Sequence, residues 1–135
     1  MPARADEPGA RPRRATRFAG LSREAAEAVA ALLGAPLRVE PYCEAAAEPV
    51  YRIDYRSPRG NITLVLWPAY ARVDARCGPH TWVAKGVAST EVLDGIEVIF
   101  RMHAGGLLFV TVEGAIFMVG GGTAKGSGPA PGSQA

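Results

Sequence analysis

A chain of 135 residues, 48% apolar and 21% charged, is long enough for one hydrophobic core and is not a wholly disordered polypeptide. Its net charge of +2 is unevenly held: residues 1–20 carry five arginines against two acids, a net of +3, while residues 21–120 carry nine bases against eleven acids, a net of −2. No apolar run is long and uninterrupted enough to span a bilayer, so a membrane role is not expected.

Residues 1–20 hold three prolines and a single large apolar side chain, Phe18, and read as a disordered basic arm that includes Arg11, Arg13 and Arg14. Residues 121–135 are almost wholly Gly, Ala, Pro and Ser, with too little apolar surface to offset the entropy of ordering, and read as a second disordered tail. Residues 21–120 are expected to form a single globular domain. The basic start is not followed by the apolar stretch of a secretory leader, so a cytoplasmic location is expected and Cys43 and Cys77 read as free thiols.

Ser22 can cap a helix whose apolar stripe is Leu21, Ala25, Ala28, Val29, Leu32 and Leu33, stopped by Gly34 and Pro36. Everything after it is strand-like. Residues 37–43 form a first strand interrupted by Pro41, and in 50–56 Tyr51, Ile53 and Tyr55 alternate with Arg52, Asp54 and Arg56. A turn at 57–61 leads to a strand at 62–67, apolar on both sides and therefore central or covered by another chain. In 70–77 Tyr70, Arg72, Asp74 and Arg76 alternate with Ala71, Val73, Ala75 and Cys77. A strand at 81–87 follows, 89–94 reads as no more than a turn of helix, and 96–103, 107–112 and 115–119 close the domain as strands, the last two joined through Gly114 and expected to be central. The expected fold is α+β and mostly β: one amino-terminal helix on a twisted antiparallel meander of six to eight strands, curled toward a barrel.

Three functional readings stand open. Arg52, Arg56, Arg59, Arg72 and Arg76 fall within 25 positions that hold only Asp54 and Asp74 as acids; if the two arginine strands share a face, they make a basic patch. Tyr70 can then stack on a base while Arg11, Arg13 and Arg14 add phosphate contacts, giving a non-enzymatic module for nucleic acid or another polyanion that needs no cofactor. The second reading is a protein-assembly subunit, homo- or hetero-oligomeric. The third is a small thiol or metal enzyme using Cys77 and His80.

Cys77-Gly78-Pro79-His80 resembles the Cys-Gly-Pro-Cys of thioredoxin-like proteins over three residues, but leads into a strand-like segment instead of a helix. Cys43, Cys77, His80 and His103 match a tetrahedral zinc set in number though not in spacing. Glu91, Asp94 and Glu97 read as a solvated acidic rim.

Overall fold

The computed structural model describes residues 14–41 and 48–120, so that Arg11, Arg13, Cys43 and most of the two expected tails lie outside the described residues. Its elements are β1 (Ala15–Ala19), α1 (Arg23–Leu33), β2 (Leu37–Glu40), β3 (Val50–Ser57), β4 (Gly60–Trp67), β5 (Arg72–Cys77), β6 (His80–Lys85), β7 (Val87–Leu93), β8 (Glu97–Met102), β9 (Leu107–Thr111) and β10 (Ile116–Val119), with a 3₁₀ turn at Pro68–Tyr70. The strands make two antiparallel sheets of five. The first has the order β1-β7-β8-β9-β10 and the second β2-β3-β4-β5-β6.

Helix α1 forms where the apolar stripe and its caps agree. Ser22 Oγ accepts from the Ala25 amide at 3.1 Å, Glu24 lies in the first turn, and Gly34 ends the helix in the left-handed region at φ 67°. Ala25, Ala26, Val29, Ala30 and Leu33 are buried. The helix packs against β1, β7 and β8 of one sheet and β2 and β3 of the other, so it bridges the two sheets on the side of their edge strands β1 and β2.

Period-two alternation then sorts every strand into an inner and an outer face. Ile53, Ile62, Leu64, Leu66, Val73 and Ala75 of the second sheet meet Val98, Phe100, Leu108 and Val110 of the first, all fully buried. Burying a side chain such as Phe100 contributes about 1.5–3 kcal/mol, so this shared interior is what holds the two sheets together. At one end the sheets are also pinned by polar contact: the Tyr55 hydroxyl donates to the Val112 carbonyl.

The mostly β class with an amino-terminal helix is as expected, but the single meander is not. Among the described residues ten strands in two open sheets replace six to eight in one, and the sheets do not close into a barrel. The run read as one strand at 81–87 bends at Gly86 (φ 73°), which ends β6 in the second sheet and lets Val87 start β7 in the first. Residues 89–93 are strand, not helix, and Asp94 belongs to the turn that follows. A turn closed by the Ile96 amide on the Leu93 carbonyl at 2.8 Å, with Asp94 (φ 42°) and Gly95 (φ 74°) at its centre, joins β7 to β8.

Two boundaries also shift. Ala15–Ala19, expected within the basic arm, is an edge strand because β7 offers it a full antiparallel register from Ala15 opposite Leu93 to Ala19 opposite Ser89. The closing strand β10 is an edge and not a central strand, which leaves Phe117 and Val119 exposed. The apolar strand at 62–67 is central, between β3 and β5. No helix among the described residues is long and apolar enough to cross a membrane.

Candidate binding surfaces

The register decides which arginines share a face. Across the second sheet, Arg38 lies opposite Arg52, Arg52 opposite Val65, Val65 opposite Asp74 and Asp74 opposite Val83. One row along, Asp54, Thr63, Arg76 and Thr81 are aligned, and Trp67, Arg72 and Lys85 form the row on the other side. Directly opposed residues point the same way, so Arg52, Arg56, Arg72 and Arg76 all project outward. They are not on adjoining strands: β4 separates β3 from β5, which sets the two arginine columns roughly 10 Å apart.

Two of the four are held by acids on their own strands. Arg52 Nε donates to Asp54 at 3.1 Å, with Arg38 3.6 Å from the same carboxylate, and Arg72 Nε donates to Asp74 at 2.8 Å. Burial pushes the Asp54 carboxyl up, but the hydrogen bond from Thr63 and the Arg52 and Arg38 guanidiniums together outweigh it and hold Asp54 below its ordinary value. Arg56 and Arg76 are exposed and form no ion pair with any acid among the described residues. Two shallow hollows flank Thr63, one of about 410 Å³ beside Arg52, Arg56 and Asn61 and one of about 240 Å³ beside Arg72, Arg76 and Thr81.

The remaining expected site residues are dispersed. Tyr70 is not on the strand face but in the 3₁₀ turn beside it, 57% exposed, with its ring centroid 6.3 Å from that of Trp67; Arg72 lies 5.7 Å over the Trp67 ring. Arg59 stands in the β3–β4 turn, away from the shared face. Arg14 stands just before β1 at the end of the first sheet, where its amide donates to Asp94 at 3.0 Å.

Cys77 and His80 face each other across the two-residue β5–β6 turn, on the inner side of the sheet. No hydrogen bond joins them, so the thiol–imidazole pair needed to activate a nucleophile is not formed. The zinc set is not assembled either. His103 donates its amide to the Gly86 carbonyl at the far end of β6, roughly 20 Å along the strand from His80. Among the described residues no three His, Cys, Asp or Glu side chains cluster as metal ligands. Near His80 there is instead a cleft of about 270 Å³ between the sheets.

The first sheet carries groups that sequence reasoning misses. Glu91, expected on a solvated rim, is buried on β7 between two guanidiniums: Arg101 Nε donates to it at 2.5 Å and Arg17 Nη2 at 2.7 Å. The Arg101 hydrogen bond holds the Glu91 carboxyl below its ordinary value against the opposing effect of burial, with Arg17 assisting, and the same contact raises Arg101. Beyond this triad the outer face turns apolar. Leu93, Ile99, Leu107, Phe109, Phe117 and Val119 share it by register, with the Phe109 and Phe117 rings 5.3 Å apart.

Compared with known proteins, the chain matches no family model, no curated protein and no solved structure.

Proposed function

We propose that this domain is a non-enzymatic binding module that contacts a polyanion, nucleic acid above all, through the outer face of its second sheet. One observation carries the reading: register places Arg38, Arg52, Arg56, Arg72, Arg76 and Lys85 on one face with only Glu40, Asp54 and Asp74, six cations against three carboxylates, although residues 21–120 as a whole have a net charge of −2. Arg56 and Arg76 stand ready to donate to phosphate. The paired Arg52 and Arg72 are oriented by Asp54 and Asp74, and the Arg72–Trp67 stack beside exposed Tyr70 supplies a flat surface for an unpaired base.

The test is a salt titration of the full chain binding a single-stranded oligonucleotide. Affinity is expected to fall linearly on a log–log plot as counterions are released. Equal binding by a scrambled peptide of the amino-terminal arm would reduce the effect to a sticky tail and end the reading.

Self-association is a second reading, favoured by a separate observation. The other sheet edges carry a charge or a flanking proline, such as Arg17 on β1, Pro36 and Pro41 around β2, and Pro79 and Lys85 at β6. β10 has neither, and its outward Phe117 and Val119 continue the apolar face of the first sheet. Antiparallel pairing of β10 with its own copy would satisfy its open hydrogen-bonding edge and set Phe117 and Val119 beside those of the copy. Light scattering at high salt tests it: a dimer supports the reading, and a strict monomer removes it.

A further inference from the structure

We infer that two copies of this chain pack face to face through the outer side of the first sheet, with their strands antiparallel about a two-fold axis. This surface lies on the other sheet from the arginine face of the polyanion reading. It also differs from β10 edge pairing, because it leaves the hydrogen-bonding edge of β10 open.

Register sorts the outward side chains of this sheet into rows. A middle row runs Arg17, Glu91, Ile99, Phe109 and Phe117 from β1 to β10, with Leu93, Glu97 and Thr111 on one side of it and Arg101, Leu107 and Val119 on the other. Over β1 and β7 the face is polar, closed by the ion pairs of Arg17 and Arg101 with Glu91. From β8 to β10 its centre is apolar, and it opens to solvent at Phe117, 37% exposed, and Val119, 49% exposed. A contiguous apolar patch of this kind marks a contact surface.

Two observations name the occupant. First, the chain has nothing of its own to lay over the patch. The segments outside the described residues, 1–13, 42–47 and 121–135, hold Met1 and Tyr42 as their only large apolar side chains, too little to bury against it. Second, the charges at the two ends of the patch complement those of a copy. On β8, Glu97 and Arg101 project outward two residues to either side of Ile99, roughly 7 Å along the strand in each direction. Asp94 and Glu113, in the turns after β7 and β9, stand at the Glu97 end. The face is therefore acidic at one end, apolar in the middle and basic at the other.

A two-fold axis along the middle row lays each strand antiparallel over its own copy. Ile99, Phe109 and Phe117 then meet their counterparts, while Glu97 of each copy meets Arg101 of the other. Packing with the strands parallel would instead stack the two acidic ends on one another. Arg101 suits the role: its Nε holds Glu91, which fixes the side chain, and the guanidinium, 44% exposed, has further donors for a second carboxylate. Arg17 and Glu91 neutralise each other on the far side of the sheet from Phe117. Sheets packed in this way lie about 10 Å apart with strand directions within about 30°. Three strands make a small contact, so association in the micromolar range is expected.

Sedimentation equilibrium of the full chain, from about 1 to 500 µM in about 0.15 M salt, reads the association. I99D, on β8 and two strands in from the β10 edge, should weaken it about a hundredfold or more by setting two carboxylates against each other at the axis. Circular dichroism should show its fold kept, because position 99 faces outward. E97K should weaken association about tenfold by facing Arg101 of the other copy. Hydrogen exchange should find the amides on the open side of β10 as fast in the dimer as in monomeric I99D. A chain that stays monomeric throughout overturns the inference. A dimer that resists I99D overturns it as well, and if that dimer protects the open-side amides of β10, edge pairing stands in its place. Indifference to E97K overturns the antiparallel arrangement. None of these readouts involves the second sheet, so this inference can fail while the polyanion reading stands.

Discussion

Gly114 lies directly against Ser57. A β-carbon at position 114 would fall 2.9 Å from Ser57 Cβ, closer still to Ser57 Oγ and 3.2 Å from Arg59 Cβ, and the backbone there has φ 95°. The β9–β10 turn thus touches the end of β3 only because residue 114 has no side chain. G114A is expected to cost about 2–4 kcal/mol, through both the clash and the left-handed backbone. Urea denaturation should show a lower midpoint at unchanged slope, and adding S57A should return part of the stability. A neutral G114A would mean that this contact does not hold the sheets together.

A second link between the same elements is the Tyr55 hydroxyl on the Val112 carbonyl. Y55F keeps the ring and removes the donor, leaving that carbonyl short of a partner. The expected destabilisation is about 1 kcal/mol. Thermal unfolding monitored by circular dichroism reads it.

Glu91 makes the fold sensitive to acid. Its carboxyl titrates below the ordinary glutamate value in the folded protein and at that value in the unfolded chain, so the unfolded chain takes up the proton first. The stability it contributes is therefore complete above the ordinary glutamate value, and is lost as pH falls from there through the lowered folded value. E91Q should cost about 1–3 kcal/mol at neutral pH, by leaving the guanidiniums of Arg17 and Arg101 without their charge partner. The gap between wild type and E91Q should close in acid, as read by urea melts across pH. A gap that persists at low pH would show that packing around residue 91, and not its charge, is responsible.

Arg56 and Arg76 are the exposed arginines of the face that form no ion pair with a described acid. Replacing both by alanine should weaken oligonucleotide binding and lower the slope of log affinity against log salt by about 0.7 for each phosphate no longer neutralised. R52A and R72A also free Asp54 and Asp74 on the same face, so each is expected to weaken binding more than replacing either exposed arginine does. An unchanged slope in the Arg56/Arg76 double variant would remove the face from consideration.

The bare edge β10 can be protected with a single charge. F117K places a lysine on its outward side without touching the buried Ile116 and Met118. If the chain pairs through β10, this variant should be monomeric by light scattering with its fold intact by circular dichroism. A dimer that survives F117K would lie elsewhere.

Local chemistry is legible wherever it repeats along the chain. Ser22 and Gly34 bound the helix, and the alternation of Arg52, Asp54 and Arg56 with Tyr51, Ile53 and Tyr55 assigns inside and outside, because side-chain period depends only on backbone geometry within the segment. The Arg52-Ile53-Asp54 and Arg72-Val73-Asp74 strings, which place acid and base two residues apart on one face, are readable for the same reason. The Asp94-Gly95 pair is also a local signal, that of a hairpin turn, and it prevails over the helical reading of 89–94 because the strands on either side of it pair.

Only the tertiary structure decided which strands are neighbours. A strand's hydrogen-bonding edges are alike in every sequence, so nothing local tells Ala15–Ala19 that β7, more than seventy residues away, will pair with it, or that Gly86 will pass the chain from one sheet to the other. Glu91 is buried because Arg17 and Arg101 arrive from two other strands, and the cleft beside His80 and Trp82 exists because β6 and β10 are both edges. Alternation along a strand is a property of the segment; burial and adjacency belong to the whole assembly.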